Sequence, residues 1–256
     1  MTNRIVCWFS CGATSAIACK LAITENKGKL PLEVVYNHVG WATPDNEWRG
    51  EHIDSKRFLE DCQRWFGVKV QLLTHPKYSN VDDVIEAERY LNGVRGAKCT
   101  QQLKIKQRLA FQKPGDLHVY GFDASETDRA FDFRQRNSDI SVWTPLIERN
   151  LTKPDCLALL KEQAIELPMM YQLGYRNNNC IGCVKGGKGY WNKIREDFPE
   201  VFARRGLQEK ALGRSCIKGT FLQDLPRGVG RYKSEPDISC TGDCVNAQVE
   251  LDNCEI

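Results

Sequence analysis

The stretch that decides the fold is residues 5 to 16, IVCWFSCGATSA, in which an apolar run breaks into small and hydroxyl-bearing residues. The apolar run is typical of a buried strand, whereas TSAIACKLAITEN after the break has apolar residues at helical spacing. The break therefore predicts a tight turn from a first strand into a first helix. Free backbone N–H groups and the helix dipole favour an anion at such a turn.

The same alternation of strand and helix continues along the chain. Further strands are predicted at LEVVYNHV, VKVQLLTH and DLHVYGF. Helices are predicted over 45–67 with Asp45 as N-cap and Gly67 as the stop, over 81–91, over 100–111, and after a capping Thr152. Strands separated by helices predict a doubly wound, mostly parallel α/β sheet. We expect a nucleotide-binding domain over 1–145 and a smaller, loop-rich, cysteine-rich C-terminal region over 146–256.

Composition narrows the class of protein. The chain has 256 residues, of which 41% are hydrophobic, enough to bury a sizeable core. No apolar run approaches the roughly 20 residues of a membrane span, and the first residues lack the order of a secretory signal. We therefore expect a cytoplasmic protein that does not bind membranes. Twelve cysteines in that compartment favour metal binding or thiol chemistry over disulfides.

The turn after the first strand has the composition of a phosphate cradle. Small residues let a phosphate approach the backbone, and hydroxyls can donate hydrogen bonds to it; they are Ser10, Gly12, Ala13, Thr14 and Ser15. A plain strand-to-helix turn that uses Gly12 for its conformational freedom is the simpler alternative. A Walker loop is excluded because no Gly-Lys-Ser/Thr follows.

SCGATS resembles the Ser-Gly-Gly-x-Asp-Ser loop of the PP-loop ATP pyrophosphatases, although Cys11 replaces a glycine and Thr14 an aspartate. HVGWATPDNEW, CTQQLKIKQ and GFDASETDRAFDF resemble the PAPS reductase-like branch, and the resemblance runs from Arg4 to about Phe202. It implies a Rossmann-like, adenine nucleotide alpha hydrolase-like fold that binds ATP and Mg²⁺. The ATP-binding residues carried over are Ser10, Cys11, Gly12, Ala13, Thr14, Ser15, His38 and Gly121; the catalytic ones are Ser10, Ser15, Glu126 and Arg129. Glu126 with Arg129 could equally form a surface ion pair, and His38 could simply end a strand.

Cys180 and Cys183 form a C-x-x-C pair, which alone fits zinc, an iron–sulfur cluster or redox work. With Cys99 the layout is C-x80-C-x2-C, similar to the cluster cysteines of assimilatory adenylylsulfate reductases, and the resemblance implies a [4Fe-4S] cluster. The fourth ligand is then Cys216, or one iron is left open. A zinc knuckle that pins the C-terminal region is the structural alternative.

Two basic patches adjoin these cysteines; each is either a solvated face or, given the neighbouring cysteines, a site for an anionic ligand. The candidate anion-binding residues are Lys104, Lys106, Lys185, Lys188 and Arg195. Three further cysteines near the end of the chain are Cys240, Cys244 and Cys254. One of them could carry sulfur as a reactive thiol, they could form a second small metal site, or they could simply be exposed to solvent.

Together these features predict an enzyme that adenylates a substrate and then inserts sulfur. The resemblance implies a nucleic acid, as in DNA phosphorothioation or tRNA thiolation, with a cysteine desulfurase as sulfur donor; a homodimer is an open alternative to a monomer. One rival function is a sulfonucleotide reductase, although its Glu-Cys-Gly-Leu signature is absent. The other is a non-enzymatic nucleotide-binding module, which the altered loop favours.

Overall fold

The computed structural model describes residues 2–93, 96–235, 237–238 and 240. Its centre is a five-stranded sheet in the order β5-β2-β1-β6-β7, in which every pairing is parallel. The strands are β1 (Arg4–Trp8), β2 (Leu32–Asn37), β5 (Val70–Leu73), β6 (Asp116–Val119) and β7 (Ser141–Trp143). The predicted α/β class is confirmed, and the short β7 is a strand that the sequence pattern did not reveal.

The alternation of side chains along β1 explains why helices cover both faces of the sheet. Ile5 and Cys7 belong to one buried cluster, whereas Val6 and Trp8 belong to another. Successive strand residues point to opposite faces, so a strand that is apolar throughout needs cover on both sides.

The chain supplies that cover with helices between the strands. The helices up to β7 are α1 (Ala13–Asn26), α2 (Asp54–Phe66), α3 (Val81–Glu88), α4 (Lys98–Thr100), α5 (Lys106–Phe111) and α6 (Thr127–Arg136). A π-helical turn, Gln101–Ile105, joins α4 to α5. Gly67 ends α2 in the left-handed conformation, as predicted, with φ of 68°.

The helix predicted over 45–67 begins later than expected. Residues 41–52 instead form two short parallel strands, β3 (Trp41–Ala42) and β4 (Glu51–His52), and Asp45 lies in a 3₁₀ turn between them. Gly50 has φ of 126°, and a Cβ there would lie 2.4 Å from the Gly40 carbonyl oxygen. That close backbone approach pairs the two strands and prevents an earlier helix start.

The C-terminal region is more helical than the loop-rich segment that the sequence predicted. After α7 (Pro145–Glu148), α8 (Lys153–Glu162) and α9 (Met169–Gln172), it contains α10 (Lys188–Asp197) and α11 (Pro199–Leu212). Thr152 caps α8 through a capping box with Asp155, as predicted. A buried ion pair, Arg205 to Asp82 at 2.8 Å, joins α11 to α3.

The region after β7 contributes to two cores. Cys156 and Leu160 of α8 pack in the core beneath the sheet, whereas α10 and α11 share a separate core with α3. The domain boundary at residue 145 stays a prediction. Among the described residues, no helix combines the length and the apolar character needed to cross a membrane.

Candidate active site

The loop between β1 and α1 is held by its own hydroxyl groups. Ser15 Oγ accepts hydrogen bonds from the Ser10 backbone N–H at 3.1 Å and from Ser10 Oγ at 3.1 Å, and it donates to the Gly12 carbonyl at 2.9 Å. Cys11 has φ of 54°, which turns the chain sharply before the helix. The two serines are therefore fixed at the carboxyl edge of the sheet and at the N-terminus of α1.

Gly121, just after β6, lies against this loop. A Cβ on it would be 2.7 Å from both the backbone nitrogen and the Cα of Ser15. Only a glycine allows the end of β6 to approach the first turn of α1 this closely. The loop therefore packs between the carboxyl ends of β1 and β6.

One cavity opens at this edge of the sheet, and it gathers most of the predicted nucleotide residues. Its lining includes Ser10, Gly12, Thr14, Ser15, Gly121, Glu126, Arg129 and Lys104. Parallel strands end on the same side, so their terminal residues meet there.

Three predicted ATP residues lie outside the lining. The thiol of Cys11 is buried and bonds the Ser55 carbonyl at 3.7 Å, and Ala13 is buried beside it. His38 packs edge-on against Trp41, with ring centroids 4.7 Å apart, and burial lowers its pKa. Those side chains support the walls of the cavity.

Glu126 and Arg129 form an ion pair on the cavity wall. Glu126 Oε2 also accepts a hydrogen bond from the Asp123 backbone N–H at 3.2 Å, and the Arg129 guanidinium lies 5.1 Å above the Phe122 ring. The pair thus belongs to the cavity and is more than a surface contact.

Tyr171 is a cavity residue that the sequence analysis missed. Its hydroxyl accepts a hydrogen bond from the Ala13 backbone N–H at 3.3 Å, and burial raises its pKa to about 12. It therefore occupies one of the free donors at the start of α1. No local motif marks this residue, because it reaches the loop from 158 positions away.

Four thiols meet beside the cavity: Cys99, Cys180, Cys183 and Cys240. They interact electrostatically with one another, and the Cys183 and Cys240 thiols share a hydrogen bond. That hydrogen bond lowers the pKa of Cys240, and the positive charges of Lys104 and Lys185 lower it further, whereas burial acts to raise it. We call these four cysteines the thiol cluster.

Cys216, the predicted fourth ligand, interacts electrostatically with Cys99 of the thiol cluster. Burial raises the pKa of its thiol, which hydrogen-bonds Glu209, and Glu209 also accepts from the Cys216 backbone N–H at 2.6 Å. Cys240 lines the cavity and Cys216 does not, so Cys240 is a second candidate for the fourth ligand, and the role of Cys216 stays a prediction. Cys244 and Cys254 lie outside the described residues.

The choice between zinc and an iron–sulfur cluster stays a prediction for the thiol cluster. Within the described part of the chain, no three His, Cys, Asp or Glu side chains are grouped so as to hold a metal ion.

Lys104, Glu51 and Tyr36 connect the thiol cluster to the cavity. Tyr36 donates a hydrogen bond to Glu51 Oε2 at 2.7 Å, and Lys104 Nζ lies 4.0 Å from Glu51 Oε1. Burial raises the pKa of Glu51 to about 7. Burial disfavours the charge on Lys104, yet Cys240 and Glu51 raise its pKa overall. All three side chains line the cavity.

The other predicted anion-binding residues are dispersed. Lys185 is an electrostatic neighbour of Cys99 and Cys240, and so lies at the thiol cluster. Arg195 donates to the Leu225 carbonyl at 2.7 Å and acts within the C-terminal region. Lys106 and Lys188 are absent from the cavity lining. Of the predicted set, only Lys104 lines the cavity.

The segment that carries Cys240 is anchored next to the cavity. The Glu235 carboxylate accepts hydrogen bonds from the backbone N–H groups of Gly189 and Tyr190, at 2.5 and 3.1 Å, which caps α10. Arg176 pairs with Asp237 at 2.6 Å. These contacts place Asp237, Ile238 and Cys240 along the cavity wall.

Comparison with known proteins gave only structural likenesses. No family model matches the sequence, and no curated protein matches it. The chain is similar to phosphoadenylyl-sulfate (PAPS) reductase from Candida auris in its phosphate complex, with 11% identity and a TM-score of 0.45 over 67% of this chain and 78% of that one. It is also similar to the U34-tRNA thiolase NcsA from Methanococcus maripaludis with its [4Fe-4S] cluster, with 10% identity and a TM-score of 0.42 over 84% and 74%. At this level of identity, neither the substrate nor the reaction of these two proteins can be assigned to this chain. The structure of this chain itself shows a Rossmann-like, parallel α/β fold with a candidate site at the carboxyl edge of the sheet.

Proposed function

We propose that this protein is an ATP pyrophosphatase of the PP-loop group that adenylates a nucleic-acid substrate for sulfur insertion. The observation that carries the proposal is that one cavity is lined both by the loop Ser10–Ser15 and, through Cys240 and Lys104, by the thiol cluster. Activation and sulfur delivery need such proximity, because an adenylated intermediate must meet the sulfur donor before water does.

The loop residues supply the activation step. Ser10, Ser15 and the N-terminus of α1 bind the phosphates of ATP, and Arg129 stabilises charge on the departing pyrophosphate. An oxygen of the acceptor attacks the α-phosphorus, the bond to the β-phosphate oxygen breaks, and pyrophosphate leaves. Mg²⁺ on the phosphates would need few protein ligands, and Glu126 and Asp123 are two of the cavity carboxylates that would supply one.

The thiol cluster fits the donor set of a [4Fe-4S] cluster. Such clusters are held by cysteine thiolates, and Cys99, Cys180, Cys183 and Cys240 form a group of four thiols, of which Cys183 is buried and the others are half-buried. When bound, the cluster would supply soft iron suited to sulfur chemistry. Lys104 offsets the negative charge of the thiolates and orients the acceptor towards them.

In the second half of the reaction, sulfur replaces the activated oxygen. A sulfur nucleophile attacks the adenylated centre, AMP leaves with the former acceptor oxygen, and the substrate keeps the sulfur. A cysteine desulfurase is the source of that sulfur in this proposal. DNA phosphorothioation and tRNA thiolation both follow this scheme.

A second candidate is a sulfonucleotide reductase, favoured by the lowered pKa of Cys240 within the cavity. In that reaction the Cys240 thiolate attacks the sulfur of the nucleotide's sulfate group. The sulfur–oxygen bond to the nucleotide phosphate breaks, and an S-sulfocysteine forms. An external thiol then reduces it and releases sulfite. This reaction uses no ATP.

Pyrophosphate release from ATP separates the two candidates. Purified protein is incubated with ATP, Mg²⁺ and single-stranded DNA or unmodified tRNA, and pyrophosphate is measured. The proposal predicts release that depends on the nucleic acid and is lost in a Ser10→Ala, Ser15→Ala variant but kept in Ser141→Ala, an exposed serine of β7. Sulfite formation from adenylylsulfate without any pyrophosphate would establish the reductase instead.

A further inference from the structure

Arg108 differs from the other buried arginines of the described chain. The other two are Arg4 and Arg205. Arg4 pairs with Asp116 at 2.5 Å and Arg205 with Asp82 at 2.8 Å. Arg108 is 7% exposed and, among the described residues, pairs with no carboxylate.

The hydrogen bonds of Arg108 all go to neutral groups. It donates to Asn137 Oδ1 at 2.8 Å and to the Tyr120 hydroxyl at 3.3 Å, and it lies 5.6 Å from the centroid of the Phe133 ring. Its Nε has no hydrogen-bond partner within the described structure. A buried charge without a counter-ion is costly, so a guanidinium held in this way is suited to an anionic ligand.

The guanidinium is placed where a ligand can reach it. Arg108 lines the cavity, as do Trp8, Tyr120 and Phe122. The other cavity arginine, Arg129, is already paired with Glu126. Arg108 therefore retains charge for a ligand, and the aromatic side chains offer surfaces on which a base can stack.

The position of Arg108 relative to the thiol cluster indicates which substrate it serves. Arg108 and Lys104 are four residues apart on one helical segment, about one turn, and both line the cavity. Lys104 interacts with Cys240, Cys180 and Cys99. An anion on Arg108 therefore lies about one helical turn from Lys104, the residue that adjoins the thiol cluster. The hydroxyls of the phosphate loop, Ser10 and Ser15, belong to a separate segment that runs from the end of β1 into α1.

We propose that Arg108 binds a phosphate ester of the substrate that reacts beside the thiol cluster, separate from the phosphates of ATP. The inference rests on the proposed function for the identity of that substrate. A phosphate suits the site because a guanidinium can donate two parallel hydrogen bonds to it. The phosphate belongs either to the backbone of an oligonucleotide or to a nucleotide that carries a second phosphate.

Binding measurements with Arg108→Gln, Arg108→Lys and a matched control test the proposal. The control is Arg136→Gln, a half-buried arginine of α6 paired with Asp132 and absent from the cavity lining. Thermal unfolding verifies that each variant folds. The probes are a single-stranded 12-mer, as DNA and as RNA, titrated with ATP present, and adenosine 3′,5′-bisphosphate compared with AMP without ATP.

For Arg108→Gln, we expect at least a tenfold loss of affinity for one phosphate probe, while ATP affinity changes less than twofold. Arg108→Lys should lose less, and Arg136→Gln should bind as wild type. Loss of oligonucleotide affinity assigns a backbone phosphate, and loss of preference for the bisphosphate over AMP assigns the second nucleotide phosphate.

Unchanged affinity for both probes in folded Arg108→Gln overturns the inference, as does an equal loss of ATP affinity, which would place Arg108 in the ATP site. If wild type releases no pyrophosphate but its phosphate binding still depends on Arg108, the proposed function fails and this site stands.

Discussion

Replacing Gly121 with alanine should push the phosphate loop out of place. The new Cβ would lie 2.7 Å from the nitrogen and Cα of Ser15, against about 3.4 Å for an ordinary close contact, so the first turn of α1 must move by several tenths of an ångström. Overpacking of this kind costs about 1 to 3 kcal/mol of folding free energy. Because backbone atoms clash, no side-chain rotation relieves the contact.

The same displacement should weaken ATP binding. Losing one charge-assisted hydrogen bond to phosphate costs about 1.5 to 3 kcal/mol, so affinity should fall roughly tenfold or more. Urea unfolding measures the stability, and calorimetric titration with ATP measures the affinity.

Gly206→Ala is the matched control. Gly206 lies inside α11, and a Cβ there would meet first the flexible side chain of Gln223 at 3.2 Å. Its stability should stay the same or rise by up to about 1 kcal/mol, since alanine favours a helix more than glycine does. If Gly121→Ala keeps both wild-type stability and wild-type ATP affinity, that result contradicts the close packing of Gly121 against the first turn of α1.

Three further predictions concern the thiol cluster, the C-terminal core and a buried acid. After anaerobic reconstitution, Cys240→Ser should lose most of its iron and visible absorbance, whereas Cys216→Ser should keep both; the reverse order would restore Cys216 as the ligand. Asp82→Asn leaves Arg205 buried and unpaired, so urea unfolding should show a loss of about 3 to 5 kcal/mol, and a loss below 1 would contradict the contact. Burial raises the pKa of Glu51 to about 7 from an unfolded value of 4.5, so the unfolding free energy of the wild type should fall between pH 4.5 and 7 by roughly 3 kcal/mol more than that of Glu51→Gln; parallel pH profiles would refute this.

The sequence predicts the sheet and the phosphate loop well because both rest on local patterns. The apolar run at 5–9 and the helical spacing after it place β1 and α1, and Gly67 and Thr152 end or begin helices as predicted. The start of α2 was misplaced because Gly40 and Gly50 approach each other, a tertiary contact without a local signal. The short β7 was missed because three residues carry little periodicity.

The candidate site was only partly predictable for the same reason. Ser10 and Ser15 lie in one motif, so the sequence brings them together. Tyr171, Glu51 and Arg108 reach the cavity through long-range packing, and nothing in their sequence neighbourhoods marks them. Spacing indicated Cys99, Cys180 and Cys183 but did not indicate Cys240, because a C-terminal segment anchored by Glu235 brings that thiol beside them.

The central claim is that ATP and the thiol cluster share one cavity, and alkylation of Cys240 tests it most directly. Protein without iron is treated with a small thiol reagent with and without saturating ATP, and modification of Cys240 is followed by mass spectrometry. We predict that ATP slows alkylation of Cys240 at least tenfold, and that the Ser10→Ala, Ser15→Ala variant shows no such protection at the same ATP concentration. An unchanged rate at Cys240, with ATP binding verified by calorimetry, would contradict the claim.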